Sequence, residues 1–202
     1  EKMDLDIDVS RLKLLKANHL SQKYALEDQI IKEFPQKINA CEQRIQGLKA
    51  DIEYLKTQTH PNEDGFSPMQ IDGVTYTDKK EAGTKILEAC KAKTQPEATM
   101  LGMYRGYTME LAFDTFSREY QIKLSFTLTY TVPLRTDIFG NIQRLDNLLD
   151  SLPDKLTAAK DVLENTNTQL ANAKVEVEKP FPKEEELKSK TARLDELNIL
   201  LN

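Results

Sequence analysis

The sequence predicts an α+β fold that is mostly α: a long antiparallel helical hairpin, formed as a coiled coil, with a small antiparallel β-domain carrying one helix inserted at its tip. Two observations predict this fold. Apolar residues lie alternately three and four apart in two long stretches, and between these stretches the apolar spacing changes to two. Seven glycines and no tryptophan in 202 residues also favour long helices.

The first helical stretch belongs to residues 1–65, the predicted N-terminal helical arm. From Ile31 to Leu55 the apolar residues alternate three and four apart, which is the seam of a coiled coil. Pro35 lies inside this stretch, and a proline has no N–H to donate but fits the first turn of a helix. We therefore predict a kink or a new helix start near Pro35.

The second stretch belongs to residues 138–202, the predicted C-terminal helical arm. Its apolar seam has Thr166 as the one polar member and predicts a single helix over 141–178. The prolines of "KPFP" at 179–182 predict a break, after which a third helix follows. Because each seam needs an apolar partner, we predict a monomer in which the two arms fold back on each other. Dimerisation of two chains through either seam is the alternative.

Residues 66–137 form the predicted β-rich domain at the tip. Asp72-Gly73, between apolar and β-branched residues, predicts a hairpin turn, and Asp78 is placed to cap a helix over "KKEAGTKILEACKAK". Two stretches with alternating apolar residues follow, "MYRGYTMELAFD" and "YQIKLSFTLTYTVPL". They predict two strands joined by the polar connection "DTFSRE".

Charge and motif content restrict the classes of function. The net charge of −5 is spread along the chain without a basic arm, which argues against strong autonomous DNA binding. His19 and His60 have no Cys or His partner at metal-ligand spacing, and "AGTKI" lacks the residue order of a phosphate-binding loop. The sequence thus predicts no catalytic residue, no metal site and no cofactor.

Cysteine usage and hydropathy predict the location. Cys41 and Cys90 are far apart on apolar helical faces, which indicates buried thiols in a reducing compartment, so we expect the cytoplasm. Neither a run of about 18 apolar residues nor a signal-peptide pattern is present, so no membrane association is expected. The start at Glu1 and the apolar end "LNILLN" indicate a piece of a longer polypeptide.

The segment "GMYRGYTMEL" at 102–111 contains the candidate binding residues. Glycines inside a strand usually mark a bulge or a close backbone approach, so Gly102 and Gly106 are expected to shape the sheet. The functional alternative is an exposed surface of Tyr104, Arg105 and Tyr107, because aromatic rings stack on bases and arginine pairs with phosphate. Four further cations would extend this nucleic-acid surface if they lie on the same side: Lys79, Lys80, Lys123 and Arg135.

Four segments carry a resemblance to a known family: "EKMDLDIDVSRLKLLKANHLSQKYALED", "GMYRGYTMELAFD", "TDIFGNIQRLDNLLDSLP" and "NAKVEVEKPFPKEEELKSKTARLDELNILLN". Over nearly its whole length the chain resembles the region after the helicase core in very large helicase/N6-adenine DNA methylase fusion proteins. Such proteins belong to conjugative elements, a class of mobile genetic element, of Gram-positive gut bacteria. The resemblance implies a helicase-associated accessory domain.

The resemblance also implies partners and restricts activity. The partners are the helicase and methylase modules of the same polypeptide, and DNA. The chain contains no "NPPY"-type methylase motif, no Walker A motif and no "DEAH"-type box, so we expect no enzyme activity from it alone. The preferred interpretation is a coiled-coil arm that positions the modules and also guides DNA. The alternative is a purely structural or dimerising module without nucleic-acid contact.

Overall fold

The computed structural model of the chain describes residues 1–201. The α-helices are α1 (Lys2–Asp28), α2 (Phe34–Gln58), α3 (Lys79–Ala92), α4 (Ile138–Asp150), α5 (Leu152–Val177) and α6 (Glu184–Leu200). The strands are β1 (Met69–Ile71), β2 (Val74–Tyr76), β3 (Thr99–Tyr104), β4 (Tyr107–Asp114), β5 (Glu119–Ser125) and β6 (Thr129–Pro133). These elements confirm the predicted α+β class with a helical majority. None of the helices in the described part of the chain is long and apolar enough to cross a membrane.

The chain folds as two compact units. The terminal unit consists of Glu1–Ala40 together with the chain from Leu163 onward, and the central unit is Cys41–Val162. The terminal unit is entirely helical apart from its connections, whereas the central unit contains the whole sheet.

Helix α1 packs against helix α6 in the terminal unit. A buried apolar cluster lies between them and consists of Val9, Leu12, Leu187 and Leu194. Three ion pairs follow the same contact, and their order makes the two helices antiparallel: Lys16–Glu184, Asp8–Lys190 and Glu1–Arg193. Exposed ion pairs each contribute at most about 1 kcal/mol, so the apolar cluster is the main source of stability here.

Helix α1 leads into helix α2 through one turn of π-helix, Gln29–Glu33, just before Pro35. Pro35 lacks the N–H that would bond to the carbonyl four residues earlier, and the wider π turn accommodates this loss. The backbone is helical on both sides, with φ of −62° at Asp28 and −63° at Phe34. The predicted disturbance near Pro35 is therefore a π turn in a continuous helical run, without a new helix start.

The prediction of one helix over 141–178 is wrong, because α4 and α5 are separate helices on either side of Ser151. Pro153 explains the interruption, since it has no N–H for the carbonyl of Leu149. The hydroxyl of Ser151 instead donates a 2.6 Å hydrogen bond to the carbonyl of Leu148. The break predicted at "KPFP" is confirmed, because α5 ends at Val177 and α6 begins only at Glu184.

All strands of the central unit pair antiparallel in the order β2-β1-β3-β4-β5-β6. One face of the sheet is buried and carries Met69, Ile71, Tyr104, Tyr107, Met109, Leu111, Ile122, Leu124, Tyr130 and Val132. Helix α3 contacts β1 and β2, and α4 contacts both α3 and β6. The predicted hairpin at Asp72-Gly73 is confirmed as the turn between β1 and β2.

Each of the two stretches that were predicted as single strands contains a turn. "MYRGYTMELAFD" includes the turn between β3 and β4 at Arg105-Gly106, and "YQIKLSFTLTYTVPL" includes the turn between β5 and β6 at 126–128. Phe126 therefore leaves the sheet, and its ring stacks on Tyr54 of α2 with centroids 3.7 Å apart. The connection "DTFSRE" joins β4 to β5 as predicted.

Within the central unit, the part of α2 from Cys41 onward lies beside the first turns of α5. A groove of about 290 Å³ between these helices is lined by Cys41, Arg44, Lys155, Ala158, Ala159 and Val162. The predicted pairing of the two helical arms along their seams stays a prediction.

Candidate functional site

The segment with the predicted binding residues is a tight hairpin. Arg105 and Gly106 connect β3 to β4 with φ of 49° and 82°. A two-residue turn with positive φ at both positions matches the right-handed twist of the strands it joins, and glycine adopts such φ values without strain. Because of this turn, Tyr104 and Tyr107 pair across the two strands and lie on the same face of the sheet.

The side chain of Arg105 lies in a polar network and is only 9% exposed. Its guanidinium forms ion pairs with Asp146 at 3.3 Å and Asp150 at 2.9 Å, both on α4. Its Nε donates a 3.2 Å hydrogen bond to the hydroxyl of Thr59, just after α2. The hydroxyl of Tyr104 donates a 2.5 Å hydrogen bond to Asp146. This Arg105 network thus ties the β3–β4 turn to two helices.

A second polar network surrounds Asp51, a fully buried residue of α2. Its carboxylate accepts hydrogen bonds from the backbone N–H groups of Thr127 and Leu128 at 2.8 and 3.1 Å, and from the hydroxyl of Tyr130 at 2.7 Å. Its backbone carbonyl accepts a 2.7 Å hydrogen bond from the hydroxyl of Tyr107. This Asp51 network fixes the β5–β6 turn and the middle of the sheet to α2.

The tyrosines of both networks remain hydrogen-bond donors over a wide pH range. Burial, with the neighbouring carboxylate of Asp146, raises the pKa of Tyr104 well above its usual value. Burial and the carboxylate of Asp51 do the same to the pKa values of Tyr107 and Tyr130. A protonated hydroxyl is the form that donates to these acceptors, so the networks favour the neutral tyrosines.

The prediction that Tyr104, Arg105 and Tyr107 form an exposed surface is wrong. Both tyrosine rings are buried on the inner face of the sheet, and the Arg105 guanidinium is paired with two carboxylates. Both hydroxyls already have acceptors inside the protein. A base cannot stack on these rings, and a phosphate would have to displace Asp146 and Asp150 to reach Arg105.

The four remaining predicted cations are not brought together. Lys79 and Lys80 begin α3 after β2, which is one edge of the sheet, whereas Arg135 follows β6, which is the opposite edge. Lys123 lies on the outer face of β5, opposite Glu110 of β4. These four cations therefore do not form the predicted patch. The order of the strands separates them, and this order cannot be read from the sequence.

Arg135 instead lines a cavity of about 290 Å³, here called the cationic cavity. Three segments form it: the end of α3, the β4–β5 turn with the start of β5, and the chain after β6. The lining residues are Leu87, Cys90, Lys91, Arg118, Glu119, Tyr120, Leu134, Arg135 and Thr136. Apolar groups form the wall, and three cations and one carboxylate are arranged around it.

A second cavity of about 360 Å³, here called the aromatic cavity, shares Tyr120 with the first. It is lined by Lys93, Thr94, Gln95, Pro96, Phe113, Thr115 and Tyr120. The rings of Phe113 and Tyr120 meet edge to face with centroids 5.0 Å apart. Phe116, in the turn between these two strands, is 97% exposed.

Unlike Arg105, the cations that line these cavities have no carboxylate partner among residues 1–201. In the described part of the chain, the side chains of Lys91, Arg118 and Arg135 form no ion pair. Lys93 donates to the carbonyl of Glu97 and to the hydroxyl of Thr99. Burial raises the pKa of the Cys90 thiol to about 11, so this residue is a neutral part of the wall at pH 7.

The sequence did not predict five residues that lie at these two cavities: Lys91, Arg118, Phe113, Phe116 and Tyr120. The available signal was local: "DTFSRE" places an aromatic and an arginine in a hairpin turn, where neither is needed to join two strands. The contribution of α3 and of the chain after β6 has no such signal, because only the fold brings those segments to the turn.

Among residues 1–201, no group of three or more His, Cys, Asp or Glu side chains is arranged to hold a metal ion. Comparison of the chain with models of protein families, with curated proteins and with solved structures found no match in any of the three.

Proposed function

We propose that this chain is a non-catalytic accessory region of a bacterial DNA helicase–methylase polypeptide carried by a mobile genetic element. Its helices act as a coiled-coil arm that positions the helicase and methylase modules, and one edge of the sheet guides DNA. The proposal also places the polypeptide in the cytoplasm. The resemblance of the sequence supports the identity of the parent, and the internal structure of the central unit supports the positioning role.

The observation that carries the proposal is the use of buried charged groups as anchors. Asp51 and Arg105 would be suitable for chemistry or for ligand binding if they were exposed. Instead, their hydrogen bonds and ion pairs attach two turns of the sheet to α2 and α4. Fully satisfied buried networks of this kind stiffen a domain, which is the property that a positioning element requires.

The DNA-guiding part of the proposal has a different basis from the one the sequence suggested. Arg105 is not available for it, because its guanidinium is paired with two carboxylates, whereas Arg118, Arg135 and Lys91 line the cationic cavity without an ionic partner among the described residues. A local excess of positive charge on a chain that is acidic as a whole favours a contact with DNA that is weak and sensitive to salt.

A protein-interaction module is the second candidate, and one feature of α1 favours it. Large apolar side chains remain exposed along this helix at spacings close to a heptad: Met3, Ile7, Leu14 and Tyr24. A stripe of this kind is typical of a helix that meets another helix. Light scattering of the purified chain distinguishes the candidates, because the first requires a monomer and dimerisation through α1 requires twice that mass.

The test of the main proposal uses the full helicase–methylase polypeptide. Replacing residues 1–202 with a flexible Gly/Ser linker should leave ATP hydrolysis and methyl transfer intact on short DNA. Methylation that depends on translocation along a long DNA should fall, because the modules lose their fixed spacing. Unchanged translocation-dependent methylation would overturn the proposal. ATPase or methyltransferase activity in the purified chain, abolished by a point change in it, would do so too.

A further inference from the structure

We propose that the cationic cavity and the aromatic cavity together form a binding site for single-stranded nucleic acid. Bases stack at Phe113, Phe116 and Tyr120, and phosphates pair with Arg118, Arg135 and Lys91. This inference rests on the proposed function, because it names the surface by which the region contacts DNA. It shares Arg135 with the sequence-based hypothesis, whereas its other residues are different.

Charge complementarity is the first argument. The cationic cavity has three cations without ionic partners and a single carboxylate, Glu119, although the chain as a whole carries −5. By contrast, the charges of Lys56, Lys85 and Arg105 in the central unit are already compensated by carboxylate partners. Unpaired cations next to an apolar wall attract a ligand that combines an anionic group with an apolar body.

Aromatic exposure is the second argument. Phe116 contributes almost no buried area to the fold, yet it lies in the turn between the strands that carry Phe113 and Tyr120. Tyr120 lines both cavities, so a ligand in one cavity is next to the other. Successive bases of a single strand stack on such rings without regard to sequence, while arginine and lysine follow the phosphates.

The backbone of Arg118 supplies a third argument. Its φ is 57°, a left-handed conformation that glycine adopts more easily than arginine. Arg105 has the same type of conformation, but its guanidinium forms two ion pairs that compensate the strain. Arg118 has an exposed side chain without such contacts. The fold therefore gains nothing visible from arginine at this position, which points to a contact outside the chain.

Single-stranded nucleic acid fits these features better than an acidic peptide or a duplex. An acidic peptide would satisfy Arg118 and Arg135 but would leave the rings of Phe113 and Phe116 without a matching partner. In a duplex the bases are already stacked on each other, so only the phosphates would be recognised. A single strand offers an unstacked base and a phosphate in every repeat, as two adjacent cavities with cations require.

The experiment measures binding of the full 202-residue chain to a fluorescent oligothymidine of about 12 nucleotides by anisotropy, over a series of salt concentrations. The double variant Arg118→Gly/Arg135→Ala should lower the slope of log affinity against log salt by about 1.4, because each single-strand phosphate contact contributes about 0.7. Phe116→Ala should weaken binding by about fivefold or more through lost stacking. Arg118→Gly alone should melt at the wild-type temperature or higher.

The matched control is Lys79→Ala/Lys80→Ala, which removes two positive charges at the opposite edge of the sheet. It should bind the oligothymidine within about twofold of wild type. An equal loss in this control would overturn the site in favour of diffuse charge attraction. Equally tight binding of a duplex, or displacement of the oligothymidine by polyglutamate at lower concentration, would also overturn it.

The outcomes of this experiment and of the linker replacement are separable. The anisotropy titration uses the chain without any helicase, so its failure would remove the nucleic-acid site and leave the positioning role to be judged by methylation. Conversely, unchanged methylation after linker replacement would reject the positioning role even if the isolated chain binds single strands as expected.

Discussion

The hydroxyl of Tyr130 donates a 2.7 Å hydrogen bond to the carboxylate of Asp51, which lies 79 positions earlier and is fully buried. This bond joins the last strand of the sheet to helix α2. The same carboxylate also accepts from two backbone N–H groups in the β5–β6 turn. Asp51 thus performs for this turn what a capping residue performs for a helix.

The first prediction concerns the Asp51 network. Asp51→Ala should lower the free energy of unfolding by about 2–4 kcal/mol, because it leaves buried donors without acceptors. Tyr130→Phe should cost only about 1 kcal/mol, since the two backbone donors keep their partner. Urea denaturation followed by circular dichroism gives both values. Equal effects of the two changes would contradict the central role given to the carboxylate.

Gly102 makes the second prediction. A Cβ atom at this position would overlap the carbonyl oxygen of Gln70 in the neighbouring strand, so Gly102→Ala should separate β3 from β1. We expect destabilisation of more than about 2 kcal/mol, as for overpacked cores. Gly140→Ala in α4 is the control, because its Cβ would meet only the flexible side chains of Asp137 and Arg144. A Gly102→Ala variant as stable as this control would reject the close approach.

The third prediction concerns the stability of the fold at alkaline pH. The pKa of Cys90 rises from its ordinary value of 9.0 to about 11, so the folded state holds the thiol proton more tightly than the unfolded state. The corresponding stability is complete below pH 9 and is lost as the pH rises towards 11. At about 1.4 kcal/mol per pKa unit, the full loss amounts to about 3 kcal/mol, of which about half occurs by pH 10.

Thermal melts between pH 8 and 10 measure the first half of this loss, before the tyrosines contribute. Cys90→Ala should be less sensitive to pH than wild type in this range. The buried tyrosines, whose pKa values are raised in the same direction, add a further loss above pH 10. A Cys90→Ala variant with the full wild-type pH dependence would disprove the assignment to this thiol.

Residues such as Gly106 show what the sequence could predict and what it could not. Helices and the Asp72-Gly73 turn follow from local patterns, and they were predicted. The turn at Arg105-Gly106 was hidden, because strict alternation would place Tyr104 and Tyr107 on opposite faces, whereas a two-residue turn places them on the same face. The alternating pattern fits one strand with a bulge at the glycine equally well, so it does not indicate a turn.

The burial of Arg105 could not be predicted for a different reason. Its partners Asp146 and Asp150 lie 41 and 45 positions later on α4, and only the packing of α4 on the sheet brings them to the turn. The proximity of Lys91 and Arg118 at one cavity could not be predicted for the same reason, because the two residues belong to different elements. Electrostatic contacts between distant residues depend on the topology of the fold, and the local spacing of residues does not predict that topology.

The contact between α1 and α6 makes the fourth prediction. Leu12 is 4% exposed in the cluster of the terminal unit, whereas Leu14, two residues later on the same helix, is 63% exposed. Leu12→Ala should destabilise this unit by about 2–4 kcal/mol, and Leu14→Ala by less than about 0.5 kcal/mol. Hydrogen exchange of α6 amides reports the difference, and similar exchange rates in both variants would reject the packing.

The central claim is that Arg105 is an internal anchor of the fold, and the melting temperature of Arg105→Ala tests it most directly. Loss of two ion pairs and one hydrogen bond at a largely buried guanidinium should cost about 2–3 kcal/mol. For a chain of this length the melting temperature should fall by about 5–10 °C, whereas Lys79→Ala should melt with wild type. A melting temperature of Arg105→Ala within about 1 °C of wild type would contradict the account, because Arg105 would then contribute nothing to the fold.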